Sequence, residues 1–324
     1  MNRTIAILGA SGFIGRRLVS ELVRHDEYQV RVLSRDKLRD LRDGRFDPKV
    51  KVFQGAPDNT DSLRDLLVPG CVVINLVYLW NQGEQANLAC INALLAACRL
   101  AKVSRLIHCS TADVVGRISV DTVNEETPCR PISEYGSTKL KIEQTITEFS
   151  KNHFDYVILR PTSVFGIGSE ALNKMLEETI NGVSLIRYVK SCLFNTRRMH
   201  LIPLANVVAA IFFLIQSTDP FKGEIFIISN DEDPKNNFNE VEKICMDLLG
   251  VRDYSLPRAP IPPFILSFLL LLMGRSNTNP NRIFDSGKLH KLGFRSPVTL
   301  TEGLIEYITQ YRDTMHDAGF SGKK

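Results

Sequence analysis

The sequence predicts an α/β chain built on a doubly wound parallel sheet, with a smaller lobe towards the C-terminus. Three observations point there. Short apolar, β-branched runs alternate with helical patterns through the first half, a glycine-rich turn follows the first run, and the alternation breaks after about Gly166. Strands that are apolar along their length and separated by helices belong to a sheet covered on both faces.

Strands are expected at Thr4 to Leu8, Val30 to Leu33, Val50 to Phe53, Val72 to Leu76, Leu106 to Cys109 and Tyr156 to Leu159. Helical patterns occupy Phe13 to Arg24, Ala86 to Ala101 and Tyr135 to Phe149. From Arg35 to Arg45 charges of both signs alternate, the pattern of a solvated helix face. Farther on, prolines cluster from Pro257 to Pro263, Ser276 to Asn281 is loop-like, and Ile225 to Ile228 reads as a strand returning to the sheet. The expected division gives the sheet domain residues 1–168, with 199–230 returning to it. The second lobe takes 169–198 and 231–312, and 313–324 form a tail.

Composition narrows the function classes. Of 324 residues, 44% are hydrophobic and 23% charged, a globular balance that supports a sizeable core. A net charge of +4 is too small to suggest a nucleic-acid partner. Seven scattered cysteines with no Cys-x-x-Cys pair suit a reducing cytoplasm, and six histidines without ligand spacing give no expectation of a metal. Met1-Asn2-Arg3 runs straight into the first strand, so no leader is expected. Phe264 to Met273 is strongly apolar. Ten helical residues rise about 15 Å against a hydrocarbon core of roughly 30 Å, so no spanning segment is expected. The stretch reads as a buried or interface helix, with a membrane-surface anchor as the alternative. Neither a Gly-x-Ser-x-Gly elbow nor a metalloprotease His-Glu pair is present.

The turn after the first strand reads Gly9-Ala10-Ser11-Gly12-Phe13-Ile14-Gly15. Glycine at every third position permits a tight turn and lets backbone N–H groups approach a pyrophosphate at the start of the following helix. A dinucleotide cofactor is the expectation. At the end of the second strand, where an acidic residue suits NAD and a basic one the 2′-phosphate of NADP, the sequence has Ser34-Arg35. That favours NADP over NAD, the alternative being an arginine on a charged surface loop.

Tyr135 and Lys139 stand four residues apart, which puts both on one face of a helix. An unperturbed phenol near pKa 10 is a poor acid–base at neutral pH, and a neighbouring ammonium lowers it. The pair lies beyond the fifth strand, 24 residues after a Ser110-Thr111 pair at that strand's end.

With these pieces in place the chain resembles the extended short-chain dehydrogenase/reductase family, which includes nucleotide-sugar epimerases, dehydratases and reductases. The resemblance rests on the glycine turn at 9–15, on His108 to Gly116, on Glu126-Thr127-Pro128, and on the Tyr135/Lys139 helix. It continues through Leu159 to Gly166, Asp285 to Leu289 and Leu292 to Phe294, in the family's order. It implies a Rossmann sheet domain with a substrate-binding C-terminal lobe. Tyr135 is then the acid–base, Lys139 its electrostatic partner and ribose ligand, and Thr111 the hydroxyl that meets the reacting oxygen, with neighbouring Ser110 the alternative. Asn75, Leu76 and Val77 line the cofactor, Pro161 and Val164 lie near the nicotinamide, and Asn87 matches a helix-borne asparagine with a contact or a capping role.

Three positions depart from the family pattern. Ala56 stands where an Asp usually meets the adenine, with Asp58 a possible substitute; Val115 replaces a Tyr before Gly116; and Ala112-Asp113 carries only one of the acidic residues of the dehydratase branch. Asp113 is read either as a reduced dehydratase base or as a hydrogen-bonded structural residue. On the substrate side, Arg197 and Arg198 resemble the family's diphosphate-binding arginines, a role for which the planar guanidinium is suited. Asn173 and Tyr78 are further candidate contacts; Trp80 is packing or binding.

The resulting expectation is a cytoplasmic oxidoreductase of polysaccharide biosynthesis, acting on a nucleotide-diphosphate sugar at ring carbon 4. A 4-ketoreductase comes first and a 4-epimerase second. A dehydratase, a non-sugar alcohol dehydrogenase and a non-catalytic dinucleotide-binding subunit follow. The family also implies a homodimer.

Overall fold

The computed structural model describes residues 3–151, 153–274 and 277–317; residues 318–324 of the expected tail and Ser276 of the expected loop lie outside them. The chain divides into two units. The first runs to Gly116 and includes Pro128–Pro161 and Val208–Ile227; the second comprises Arg117–Thr127, Thr162–Val207 and the chain from Ile228 on.

The first unit contains β1 (Arg3–Leu8), α1 (Phe13–Leu22), β2 (Tyr28–Ser34), α2 (Lys37–Arg42), β3 (Lys51–Gln54), α3 (Thr60–Leu66), β4 (Val72–Asn75), α4 (Gly83–Ala101) and β5 (Arg105–Cys109). In the second unit, β6 (Thr122–Val123) follows. The chain then returns to the first for α5 (Glu134–Ser150) and β7 (Asp155–Pro161). The seven-stranded sheet has the order β10-β7-β5-β4-β1-β2-β3, where β10 is Ile225–Ile228. β1 pairs in parallel with both β2 and β4, so the winding reverses between β1 and β4. In open α/β sheets the ligand crevice lies at the carboxyl end of such a reversal.

Two-residue alternation explains the burial. Ala6, Leu8, Val73, Leu106 and Ile158 pack with Leu63 and Leu66 of α3, Ile91, Leu94 and Leu95 of α4, and Ile142 and Ile146 of α5. The intervening Ile5, Ile7, Ile74 and Ile107 are equally buried and point to the opposite face. Arg105 ties the start of β5 to β7 and to the end of α8 (Leu204–Gln216). Its Nε donates to Asp155 at 2.6 Å, and its Nη atoms donate to the carbonyls of Leu214, Ser217 and Asp219. The first two of those residues end or follow α8.

The second unit holds β8 (Ser163–Phe165), α6 (Asn173–Asn181), α7 (Ser184–Phe194), β9 (Leu201–Pro203), α9 (Phe238–Leu248), α10 (Pro263–Leu272), β11 (Ile283–Phe284), α11 (Gly287–Lys291) and α12 (Leu300–Asp317). Its core joins Phe165, Leu176, Leu201, Val241, Leu304 and Ile308. Its limits differ from those drawn from the sequence for a topological reason. β6 pairs with β11 and β8 with β9, which draws 117–127 and 162–207 away from the large sheet. Residues 313–317 of the expected tail continue α12.

Candidate active site

The glycine turn closes tightly on the sheet. Gly9 has φ +82°, and Gly12 N–H donates to Gly9 O at 3.1 Å. A Cβ on Gly15 would lie 2.2 Å from Gly9 O, and one on Gly9 3.0 Å from the Leu76 carbonyl carbon. The backbone therefore fills the space that side chains would need, and α1 begins at Phe13 with Ser11 and Gly12 exposed before it. Phe13, Ile14, Leu76 and Val77 are half-buried around the same sheet ends. Asn75 organises the β4 end: its Oδ1 accepts from Val77 N and its Nδ2 donates to His108 Nδ1 at 3.2 Å. His108 is fully buried, and desolvation holds it neutral, well below the ordinary imidazole value.

Arg35 follows β2, exposed; among the described residues it makes no ion pair or side-chain hydrogen bond. The nearest carboxylate in sequence, Asp36, is engaged as the cap of α2, accepting from Arg39 N at 3.1 Å.

The reacting centre lies where β5 ends and α5 begins. Thr111 caps the 3-10 turn 112–115, accepting from Asp113 N at 3.2 Å, and its hydroxyl acts on the Tyr135 phenol, lowering its pKa. The adjacent Ser110 is buried with its Oγ unpartnered among the described residues, and Ser110 N donates to Leu159 O at 2.7 Å. A buried orphan hydroxyl there fits a bound polar ligand. Ser133 caps α5: its Oγ accepts from Gly136 N at 2.9 Å and donates to Asp113 Oδ2. Of the two readings of Asp113, the structural one accords with this bond, because the carboxylate ties the 3-10 turn to the first turn of the Tyr135 helix.

Lys139 is fully buried, and its Nζ donates to Cys109 O at 2.9 Å while lying 5.5 Å from the Tyr78 ring centre. The expected lowering of the phenol by Lys139 is not the dominant effect. Burial pushes the Tyr135 phenol well above its ordinary range, with the Thr111 hydroxyl acting the other way. The ammonium itself is lowered, chiefly by desolvation.

Sequence reasoning left two further features unseen. Tyr78, Trp80 and Tyr135 form an aromatic cluster: Trp80 stacks on Tyr135 at 5.0 Å and 16° between planes, and Tyr78 meets both edge-on at 4.7 and 4.8 Å. Asn87 holds the loop that carries them, its Oδ1 accepting from Leu79 N and its Nδ2 donating to Leu79 O and Gly83 O. Beneath the centre, Glu143 and Arg160 form a bidentate pair of 2.6 and 3.1 Å, both almost fully buried. Because Trp80 covers one face of Tyr135, Trp80→Ala is expected to let water reach the phenol and lower its pKa towards 10. The high-pH limb of kcat/KM then moves to lower pH; an unmoved limb would show that the indole does not desolvate Tyr135.

Pro161 is buried at the end of β7 in the first unit. Val164, Asn173, Arg197 and Arg198 belong to the second. Arg198 Nη1 donates to Asp233 O, Arg197 lies 5.6 Å over the Phe194 ring, and Asn173 Oδ1 accepts from Tyr307 OH.

A glycine cradle at the winding reversal, with a Thr-Tyr-Lys set at the end of β5 and the start of α5, defines an extended short-chain dehydrogenase/reductase. The chain belongs to the NAD dependent epimerase/dehydratase family, whose profile matches residues 5–229. It is 27% identical over 303 residues to a UDP-glucose 4-epimerase of Lactobacillus helveticus, covering 88% of this chain and 77% of that one. It is 26% identical to a 4-hydroxy-2-methyl-3-oxo-4-farnesyl-3,4-dihydroquinoline-1-oxide ketoreductase of Stigmatella aurantiaca, covering 98% and 97%. The fold matches a dTDP-glucose 4,6-dehydratase from Bacillus anthracis in complex with NAD, with a TM-score of 0.72, 17% identity, and coverage of 97% and 98%.

Proposed function

We propose that this enzyme is an NADPH-dependent 4-ketoreductase of a nucleotide-diphosphate sugar. The observation that carries the reading is Arg35, exposed at the end of β2 and without an ion pair among the described residues, followed by Asp36, whose Oδ1 caps α2. The buried, protonated state of Tyr135 adds to it, because a ketone reduction consumes a proton at the oxygen that forms. The similarity to a ketoreductase over nearly the whole length of both chains supports the same class of reaction.

The reduced nicotinamide, when bound, supplies the hydride for the carbonyl carbon. Thr111 hydrogen-bonds the carbonyl oxygen, and the Tyr135 phenol donates its proton to that oxygen as the alcohol forms. Lys139 stabilises the phenolate left behind and holds the ribose. Gly9, Gly12 and Gly15 would bring backbone N–H groups to a bound pyrophosphate, and Ser110, Asn75, Leu76, Val77 and Pro161 would border the nicotinamide half, a role the family resemblance also gives Val164. In the second unit, Arg197, Arg198 and Asn173 are the candidates that would take a substrate diphosphate.

Cofactor binding tests this first. The protein is expected to purify without bound dinucleotide and to bind NADPH at least about tenfold more tightly than NADH, a difference of about 1.4 kcal/mol. Arg35→Asp is expected to reverse that order. NAD retained through gel filtration, with an order unchanged by Arg35→Asp, would favour the 4-epimerase reading that the Lactobacillus relative supports.

A further inference from the structure

Strands β2 and β3 end level with each other. Their register closes with Ser34 opposite Gln54, and beyond it Gly55 N donates to Ser34 O at 2.8 Å. The turn that carries Arg35 therefore leaves the sheet at its edge. Backbone groups in such a turn open readily unless side chains pair with them. Here two side chains do so. The carboxamide of Gln54 reaches across from β3: its Nε2 donates to Arg35 O at 3.0 Å, and its Oε1 accepts from Lys37 N at 3.1 Å. Ser34 Oγ accepts from Asp36 N at 3.1 Å and donates to the buried Asp40 at 2.5 Å. Arg45 pairs with that carboxylate at 2.7 Å. The peptide between Arg35 and Asp36 is thus held at both ends, its C=O by Gln54 and its N–H by Ser34. The Arg35 guanidinium, by contrast, is exposed.

We propose that Gln54 is a positioning residue for cofactor choice, fixing the Arg35 turn so that the guanidinium is already placed for the 2′-phosphate of NADPH. The inference rests on the reading of Arg35 given above and adds the group that makes a long, flexible side chain selective. Residue type supports it. A carboxamide carries donor and acceptor on one planar group, as a peptide does, so it can pair with a C=O and an N–H at once. A carboxylate only accepts, and asparagine is one methylene shorter. Energetics say where the effect falls. Gln54 is exposed, and hydrogen bonds open to water contribute little to the stability of the whole fold. Their loss loosens the turn instead. A cation on a loose turn must be ordered when the ligand binds, and ordering it beforehand removes that cost. NADH has no 2′-phosphate, so the benefit belongs to NADPH alone.

A double-mutant cycle tests this. NADPH and NADH are titrated into the full-length parent, Gln54→Met, Arg35→Ala and the double variant, with melting temperatures measured alongside. Methionine keeps the length of the side chain and loses both hydrogen bonds. Gln54→Met is expected to weaken NADPH binding about three- to tenfold while NADH affinity and melting temperature stay parental. On the Arg35→Ala background the same substitution should change neither affinity, because the effect passes through the guanidinium. Three results would overturn the proposal: NADPH affinity untouched by Gln54→Met, an equal loss for both cofactors with a lower melting temperature, or a loss that persists without Arg35. The underlying reading fails separately, on the parent alone. A parent that binds NADPH no better than NADH takes the 2′-phosphate away from Arg35, and the role of Gln54 goes with it.

Discussion

Replacing Tyr135 with phenylalanine is expected to cut the rate constant for ketone reduction by roughly 10²–10⁴-fold, the range that general acid catalysis supplies. NADPH affinity should remain unchanged, because the ring stays and only the hydroxyl is lost. The geometry behind this is local. Tyr135 is backed by Trp80 and held on a helix whose first turn is capped by Ser133 and braced by Asp113. Burial pushes the phenol above its ordinary range, so the proton needed for reduction is present throughout the neutral range. The sign follows directly. Reduction should stay flat from neutral pH upward and fall only in strongly alkaline solution, whereas alcohol oxidation, which needs phenolate, should rise as pH increases. Stopped-flow NADPH oxidation across pH, with the parent enzyme beside Tyr135→Phe, separates these cases. A Tyr135→Phe enzyme that keeps parental single-turnover rates would remove the proton donor from Tyr135.

The sheet was legible because its strands are apolar at every position. Ile5, Ile7, Ile74 and Ile107 are as buried as Ala6, Leu8, Val73 and Leu106, so two-sided burial shows as continuous hydrophobic runs. The glycine turn was legible for a related reason: the Cβ clash at Gly15 is a constraint only glycine meets, so spacing alone reports it. The second unit was not legible in the same way. β6, β8, β9 and β11 are two or three residues long, too short for a periodicity, and each is fixed by a partner far away in sequence. Within the site, the Tyr135 and Lys139 spacing gave the face they share but not the orientation of the lysine. Its Nζ donates to Cys109 O, a bond made across 30 residues. The stacking of Trp80 was hidden because the loop path depends on Asn87 binding Leu79 and Gly83 from the next helix. The Glu143–Arg160 pair joins a helix to a strand across 17 residues. Its trace in the sequence is that Glu143 falls four residues after Lys139, on the helix face that the site itself buries.

That position makes Glu143→Ala the substitution with the largest expected effect on stability. Arg160 would keep its charge inside the first unit without its carboxylate, and breaking a buried pair from one side costs about 3–5 kcal/mol. The pair itself need not be strongly stabilising, because taking both ions out of water offsets much of their attraction. Replacing both residues by methionine should therefore recover most of the loss, and the double variant should unfold near the parental urea midpoint with an unchanged slope. The two stability effects can be separated from a catalytic one. Glu143 also raises the pKa of Lys139, whose ammonium burial lowers. Removing the carboxylate in either variant should make Lys139 easier to deprotonate and bring the alkaline fall in kcat to lower pH. If the double methionine variant regains stability and keeps the shifted pH limb, Glu143 acts on the site through Lys139. If it regains both, the pair only supports the helix, and if it regains neither, the cost lies in packing around α5 instead of in the unpaired charge.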